Sequence, residues 1–314
     1  MTTERICGGC GDVHCSAQVK RPGEAEEEYL ARQALMARMC RIQHKVMVLS
    51  GKGGVGKSTV AVNLAVALAL AGKRVGILDV DVHGPSVPKL LHLEGRQISA
   101  SDDVLRPVEV RFGAGTLSVM SIGFLLRARD DAIIWRGPRK FVLIKQFLKD
   151  VVWGELDCLV VDSPPGTGDE PLAVAQLIEK ADGAVVVTTP QEVAVQDVRR
   201  CIAFCRQLEV PVLGVIENMS GFACPRCGEP IQIFGAGGGR SMAQEMGVPY
   251  LGALPMDAEV AGLCDAGTPI VVARPQCETA KAFGGIVRTL LDSELGVGTM
   301  AVPAAMGSGA RGGP

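Results

Sequence analysis

The octapeptide GKGGVGKS, residues 51–58, constrains this chain more than any other feature. It fits the pattern G-x-x-x-x-G-K-[ST]. It also lies between a run that reads as a buried strand, KVMVLSG (45–51), and a helical pattern, STVAVNLAVALALAG (58–72), closed by Gly72. A phosphate cradle needs that strand–loop–helix context: glycines let backbone N–H groups curl around phosphate oxygens, and the helix N-terminus favours the anion. The expected cradle is Gly51, Lys52, Gly53, Gly54, Val55 and Gly56, continuing into Ser58 and Thr59. Lys57 is expected to reach the terminal phosphates of ATP, and the Ser58 hydroxyl to ligate Mg2+. A ligand-free glycine turn is the plain alternative, and the flanking strand and helix argue against it. Lys52 is not needed by an ordinary loop of this kind. It is either a surface lysine or a group that crosses a dimer interface to the partner's nucleotide, tying hydrolysis to dimer closure.

Further short, β-branched runs follow: RVGILDVD (74–81), LSVMSIGFLL (117–126), CLVVDSPP (158–165), GAVVVTTP (183–190) and VLGVIENM (212–219). Helical patterns near 139–149, 171–181 and 191–208 separate most of them, and the last third adds a helix near 240–246, a strand at 249–253 and a helix at 278–292. Apolar strands alternating with helices predict an α/β fold with a mainly parallel sheet covered on both faces. With 47% hydrophobic but only 4% aromatic residues, the core must be mostly aliphatic. The expected organisation is a cysteine-bearing leader over 1–40, a nucleotide domain over 41–293, and a small-residue tail over 294–314 that lacks a core of its own.

Charge and hydropathy exclude other classes. A net charge of −2 gives no basic field for nucleic acid or anionic lipid. The longest apolar run near the loop, LAVALALAG (64–72), is about half a membrane span. The first residues lack the apolar stretch of a secretory signal, so a cytoplasmic, reducing setting is expected, with thiols packed or metal-bound rather than disulfide-linked.

Carboxylates recur where strands should end. Asp162 closes CLVVD at the carboxyl edge of the sheet, where a group acting on Mg2+ from its outer sphere belongs, and SPPGTGD after it could sense the terminal phosphate. Asp79 and Asp81 stand two apart, so both project from one strand face or its end. Asp81 is favoured for positioning the attacking water or a Mg2+-bound water. The alternative is that both merely end a strand and begin a turn.

Of the 11 cysteines, Cys224 and Cys227 form CPRCG, a turn that presents two thiolates to one metal. Two ligands do not complete a tetrahedral site, so a partner must supply the rest. CPxCG is also half of a zinc ribbon, and Cys7 with Cys10 could in principle close a four-cysteine zinc site. The leader CGGCGDVHC sets Cys7, Cys10 and Cys15 among glycines as a candidate cluster loop. Its fourth ligand stays open between Cys40, His14, an exogenous thiol and none. Cys158, Cys201, Cys205, Cys264 and Cys277 read as small hydrophobes. His83 and His92 sit in no metal motif, and Trp135 reads as a packing anchor.

Taken in order, GKGGVGKST, LDVDVHGPSVP, WRGP (135–138), VVDSPPGTGD, ENMSGFACPRCG and LGALPMD (251–257) resemble the Mrp/ApbC-type iron–sulfur carrier ATPases. These are deviant-loop relatives of the nitrogenase iron protein and of MinD-type positioning ATPases, and the resemblance spans roughly 42–292. It implies Lys52 as the signature lysine, Lys57 and Ser58 as phosphate and Mg2+ groups, Asp81 as the switch carboxylate and Asp162 as the outer Mg2+ group. It also implies Asn218 at the adenine edge, and nucleotide contacts at Pro255 and Asp257. A homodimer with two ATP sites is implied, hydrolysing slowly, bridging one [4Fe–4S] cluster through Cys224 and Cys227 and delivering it to apo iron–sulfur proteins. Scaffold members of eukaryotic cytosol carry a four-cysteine leader cluster, from which this leader departs by lacking the distal first cysteine and by one shorter spacing. Two other readings share the nucleotide machinery. A MinD/ParA-like spatial organiser would need a basic amphipathic tail, whereas this tail has one Arg and no apolar period. A zinc-stabilised regulatory ATPase would be separated by metal analysis.

Overall fold

The computed structural model describes residues 19–81, 84–96, 98, 100–101, 104–125, 137–178, 181–224 and 226–293. The leader thiols Cys7, Cys10 and Cys15, as well as His14, His83, Trp135 and the tail 294–314, lie outside the described residues.

The strands are β1 (Ile42–Ser50), β2 (Arg74–Asp79), β3 (Ala100–Ser101), β4 (Val104–Leu105), β5 (Val108–Phe112), β6 (Gly115–Ser121), β7 (Leu156–Asp162), β8 (Gly183–Thr188), β9 (Val212–Glu217), β10 (Phe222–Ala223), β11 (Pro230–Ile231) and β12 (Tyr250–Ala253). The helices are α1 (Glu26–Met39), α2 (Lys57–Leu70), α3 (Val87–Leu90), α4 (Gly137–Asp150), α5 (Asp169–Ile178), α6 (Glu192–Gln207), α7 (Gly238–Met246), α8 (Ala258–Asp265), α9 (Ile270–Ala273) and α10 (Glu278–Asp292). Eight strands form one sheet in the order β12-β9-β8-β1-β7-β2-β6-β5. Every neighbouring pair is parallel except β5 with β6. The α/β architecture expected from the alternating pattern is therefore observed.

Alternation along each strand sorts the core into two layers. Val46, Val48, Cys158, Val160, Val185 and Val187 face α2, α9 and α10. Met47, Leu49, Leu159, Val161, Ala184 and Val186 face the other layer, with α4, α5 and α6. Each such fully buried aliphatic side chain contributes about 1.5–3 kcal/mol relative to exposure. Helix α2 is apolar nearly all round, because it lies between the sheet and α9 and α10. Its one interior polar residue, Asn63, is satisfied: it donates to the Thr59 carbonyl at 2.9 Å and accepts from the Val271 N–H at 3.3 Å. Helix α1 docks through buried Leu35 and Met39 onto the same layer as α4.

Two boundaries differ from expectation for local reasons. The run 74–81 leaves the sheet at Asp79, since the Asp79 carboxylate accepts the N–H groups of Asp81 and Val87 and turns the chain. The run 117–126 ends as strand at Ser121 and closes in a 3-10 turn, Ile122–Leu125. Strand β5, whose side chains alternate between half-buried and exposed, and the short helices α3, α8 and α9 had no counterpart in the sequence pattern.

Candidate nucleotide site and cysteine hairpin

Parallel strands deliver their last residues to one edge of the sheet. Ser50 ends β1, Asp79 ends β2, Asp162 ends β7, Thr188 ends β8 and Glu217 ends β9. Ligands bind outside this carboxyl edge in open α/β sheets. Here the loop 51–56 crosses it between β1 and α2.

The loop is built for close backbone approach. Gly54 and Gly56 have φ of +81° and +80°, left-handed values that a side chain would strain. A Cβ on Gly56 would also fall 2.3 Å from Nδ2 of Asn218, so glycine there is what lets Asn218 approach. Gly51 lies against the backbone of Asp197 on α6. Val55 is buried, and its carbonyl accepts Nδ2 of Asn218 at 2.9 Å. The Ser50 hydroxyl donates to the Lys52 carbonyl at 2.9 Å. Lys52 itself is half-buried and makes no ion pair among the described residues.

Lys57 is 6% exposed. Its ammonium lies 2.5 Å from Oδ1 of Asp162 and 3.2 Å from the Ser58 hydroxyl. Burial pushes the Asp162 carboxyl up, while Lys57 and the Ser58 hydroxyl pull it back. Its other oxygen, Oδ2, is buried without a hydrogen-bond partner, as is the neighbouring Ser163 hydroxyl. Buried polar atoms are normally paired. An orphan carboxylate oxygen beside the Ser58 hydroxyl is the hard-oxygen set that a hydrated Mg2+ takes.

Asp79 stands opposite Asp162 in the β2–β7 register. It is fully buried, accepts the Ser121 hydroxyl at 2.8 Å and the Val87 N–H at 3.2 Å, and has its pKa pushed up to about 7 by burial and by the Asp162 charge. Asp81 is half-buried and caps the turn by accepting the Gly84 N–H at 3.3 Å. The two aspartates thus have different surroundings: Asp79 is walled into the core, and Asp81 sits at the edge. The glycine-rich segment after Asp162 folds back on β1, with the Gly166 N–H donating to the Ser50 carbonyl at 2.9 Å.

Asn218 follows β9, and its N–H donates to the Thr188 carbonyl at 2.8 Å. Asp257 is a helix cap: its oxygens accept the Glu259 N–H at 2.9 Å and the Thr279 hydroxyl at 3.3 Å. Pro255 is half-buried two residues before it.

Cys224 and Cys227 lie between β10 and β11. Cys224 is half-buried and Cys227 exposed. The Cys224 N–H donates to the Glu229 carbonyl at 2.9 Å, and the Gly228 N–H to the Cys224 carbonyl at 2.8 Å. The N–H groups of Arg226 and Cys227, then the Cys227 side chain, hold the Cys224 thiol below its ordinary pKa, which favours the thiolate that ligates metal. Among the described residues no group of three or more His, Cys, Asp and Glu is arranged for a metal. Cys158, Cys201 and Cys205 are buried in the core, and burial pushes the Cys158 thiol up to about 12. Cys277 caps α10 by accepting the Ala280 N–H at 3.4 Å, and Cys264 lies 3.8 Å from the Thr59 hydroxyl. Sequence reasoning passed over Glu217 and the glycine run 235–239. An acidic residue closing an otherwise apolar strand was the available signal.

Comparison with known proteins gives the family. The model of the NUBPL iron-transfer P-loop NTPases matches residues 41–291. An iron–sulfur cluster carrier protein of Methanocaldococcus jannaschii is 48% identical over 268 residues, 85% of this chain and 91% of that protein. A cytosolic Fe-S cluster assembly factor, the Nubp2 homologue of Anopheles gambiae, is 50% identical over 252 residues, 80% of this chain and 97% of its own. The nucleotide-binding protein of Archaeoglobus fulgidus, solved in complex with ADP, superposes with a TM-score of 0.68 at 40% identity, covering 80% of this chain and 96% of that one. No described helix is long and apolar enough to cross a membrane. By the family model and by these identities, the chain belongs to the NUBPL iron-transfer P-loop NTPases.

Proposed function

We propose that the chain is an ATP-hydrolysing carrier that holds a [4Fe–4S] cluster on Cys224 and Cys227, shares it with the same pair of a second copy, and hands it to apo iron–sulfur proteins. One observation carries this reading: an exposed two-thiol turn begins six residues after Asn218, whose side chain is bonded to the phosphate loop. Two thiolates leave a metal half-ligated. A labile cluster needs such exposed, shared thiolates rather than an enclosed site. The apolar side chains of Ile231, Ile233 and Phe234, which stay exposed beside the turn, favour a covering second copy. The carrier and assembly-factor names of the relatives support the cargo, and the ADP complex of the Archaeoglobus protein supports the nucleotide.

In this reading Lys57 offsets charge on the terminal phosphates, and Ser58 and Asp162 hold Mg2+. When bound, Mg2+ supplies Lewis-acid neutralisation of phosphate charge. Asp81 positions the attacking water, Lys52 reaches the partner's nucleotide, and Asn218, Pro255 and Asp257 border the base. A cytoplasmic setting fits these roles, and Cys7, Cys10 and Cys15 would hold a second cluster. Anaerobic reconstitution with iron and sulfide tests the assignment. In a chain with Cys7, Cys10 and Cys15 replaced by Ser, wild-type Cys224 is expected to give the visible thiolate-to-iron band and Cys224→Ala to lose it, with ATP affinity unchanged. A wild-type Cys224 without the band, a mutant that keeps it, or freshly purified protein rich in zinc and free of sulfide would remove the reading.

A further inference from the structure

The excursion 221–236 that carries the cysteine pair is pinched at its base by one side chain, that of Glu217. This residue is fully buried at the end of β9. Its Oε1 accepts the Ser220 hydroxyl on the outgoing leg and, at 2.8 Å, the Gly237 N–H on the returning leg. Its Oε2 accepts the Gly239 N–H at 2.5 Å. The Gly221 N–H donates to the Gly235 carbonyl at 3.2 Å, which closes the same neck.

The sequence around this neck is explained by that carboxylate. A Cβ on Gly239 would lie 2.8 Å from the Thr188 side chain and 2.9 Å from Oε2 of Glu217. Only glycine therefore lets the first turn of α7 come within hydrogen-bond reach. The N-terminus of a helix favours an anion, and the carboxylate supplies it. Three donors on one buried carboxylate make a charge-assisted set, roughly twice as strong as neutral bonds.

The residue after Glu217 is Asn218, which donates to the phosphate loop at Val55 and to β8 at Thr188. The loop that meets phosphate and the loop that carries the thiols are thus joined through two consecutive residues at one strand end. We infer that Glu217 is a positioning residue that transmits the nucleotide state of the loop at Val55 and Asn218 to the geometry of Cys224 and Cys227. A shift of the Asn218 backbone on phosphate binding carries the adjoining Glu217 backbone with it. Its carboxylate then carries both legs of the hairpin together instead of letting them slide apart.

The inference deepens the carrier reading and rests on it for its purpose, so the test uses thiols rather than cluster. Alkylation rates of Cys224 and Cys227 are measured by mass spectrometry on the metal-free full-length chain, with and without Mg2+–ATP, in wild type, Glu217→Gln and Ser220→Ala. Wild type is expected to change rate about fivefold or more on adding nucleotide, the range of ordinary coupling. Glu217→Gln presents an amide to N–H donors and is expected to bring that ratio close to unity while the Kd for ATP holds, with a lower melting temperature from the donor left facing a donor. Ser220→Ala removes one donor of three and is expected to keep part of the ratio, and it carries the test if Glu217→Gln does not fold. A full ratio in both variants, or a loss that follows weakened ATP binding, would overturn the role, as would a wild type whose thiols ignore nucleotide. Failure of reconstitution in wild type would instead count against the iron–sulfur cargo.

Discussion

The nucleotide edge and the cysteine hairpin meet at the end of β9, where Asn218 stands six residues before Cys224, yet they are built on opposite terms. Under the loop the charges are buried: Lys57, Asp79 and Asp162 lie there with their charges set against one another. Around Cys227 almost nothing is: two two-residue strands hold a turn whose thiol and neighbouring apolar side chains face outward. In the proposed reading, the triphosphate site is finished within one chain except for Lys52, which is left for the neighbouring copy. In the proposed reading, the cluster site is left half-made on each copy, which suits a cargo that must be given up.

The contrast predicts a graded series of effects. Lys57→Ala is expected to have the largest. It strips charge from the phosphate site, so turnover should fall by about 100-fold or more. It also leaves Asp162 buried and unpaired, which costs about 3–5 kcal/mol of stability. The Cys224→Ala protein, compared in the same melting experiment, should move by no more than about 0.5 kcal/mol. Equal losses in the two proteins would break the contrast. Lys52→Ala comes next: its half-exposed side chain has no partner to strand, so stability and ATP affinity should hold while hydrolysis falls about tenfold or more, as for a charge supplied in trans. Parallel loss of binding and hydrolysis would take Lys52 out of the cross-dimer role.

The smallest effect is on pH. Asp79 has a folded pKa of about 7, above that of the unfolded chain. The folded state therefore holds the extra proton between roughly pH 4 and 7. Its contribution is full at the acid end, is lost as pH rises through 7, and is level above. The melting temperature of nucleotide-free wild type should accordingly decline across that window more steeply than that of Asp79→Asn. An identical slope in the two would mean that the Asp79 proton is not coupled to folding.

How much of this was legible depended on sequence distance. The strands of β1, β7 and β8 announce themselves as aliphatic runs, and the loop 51–58 carries its mechanism in consecutive residues. The chemistry of the site lies in pairings that no local pattern encodes. Lys57 meets Asp162 across 105 residues, and Asn218 meets Val55 across 163. From sequence Asp79 and Asp81 project together from one strand face or its end, with Asp81 favoured for the chemistry, and only the sheet register sets the first opposite Asp162 and leaves the second at the rim. Asp257, grouped with the nucleotide contacts by resemblance, is engaged in capping α8, a job that its position before AEVAGLCD could have suggested. Strand β5 was missed because VEVRF is short and alternates, as an edge strand with one wet face does.

The two rims of the sheet also restrict how copies of this chain can meet. At one rim the antiparallel β5 sets Glu109 and Arg111 outward. At the other, β12 is four residues long and slips register between Tyr250 and Gly252. Neither offers a flat, regular row of unpaired amides and carbonyls, so joining sheets side by side is disfavoured. The second copy proposed above is left the crest of loops above the strands, where triphosphate and thiols can be gathered under one roof.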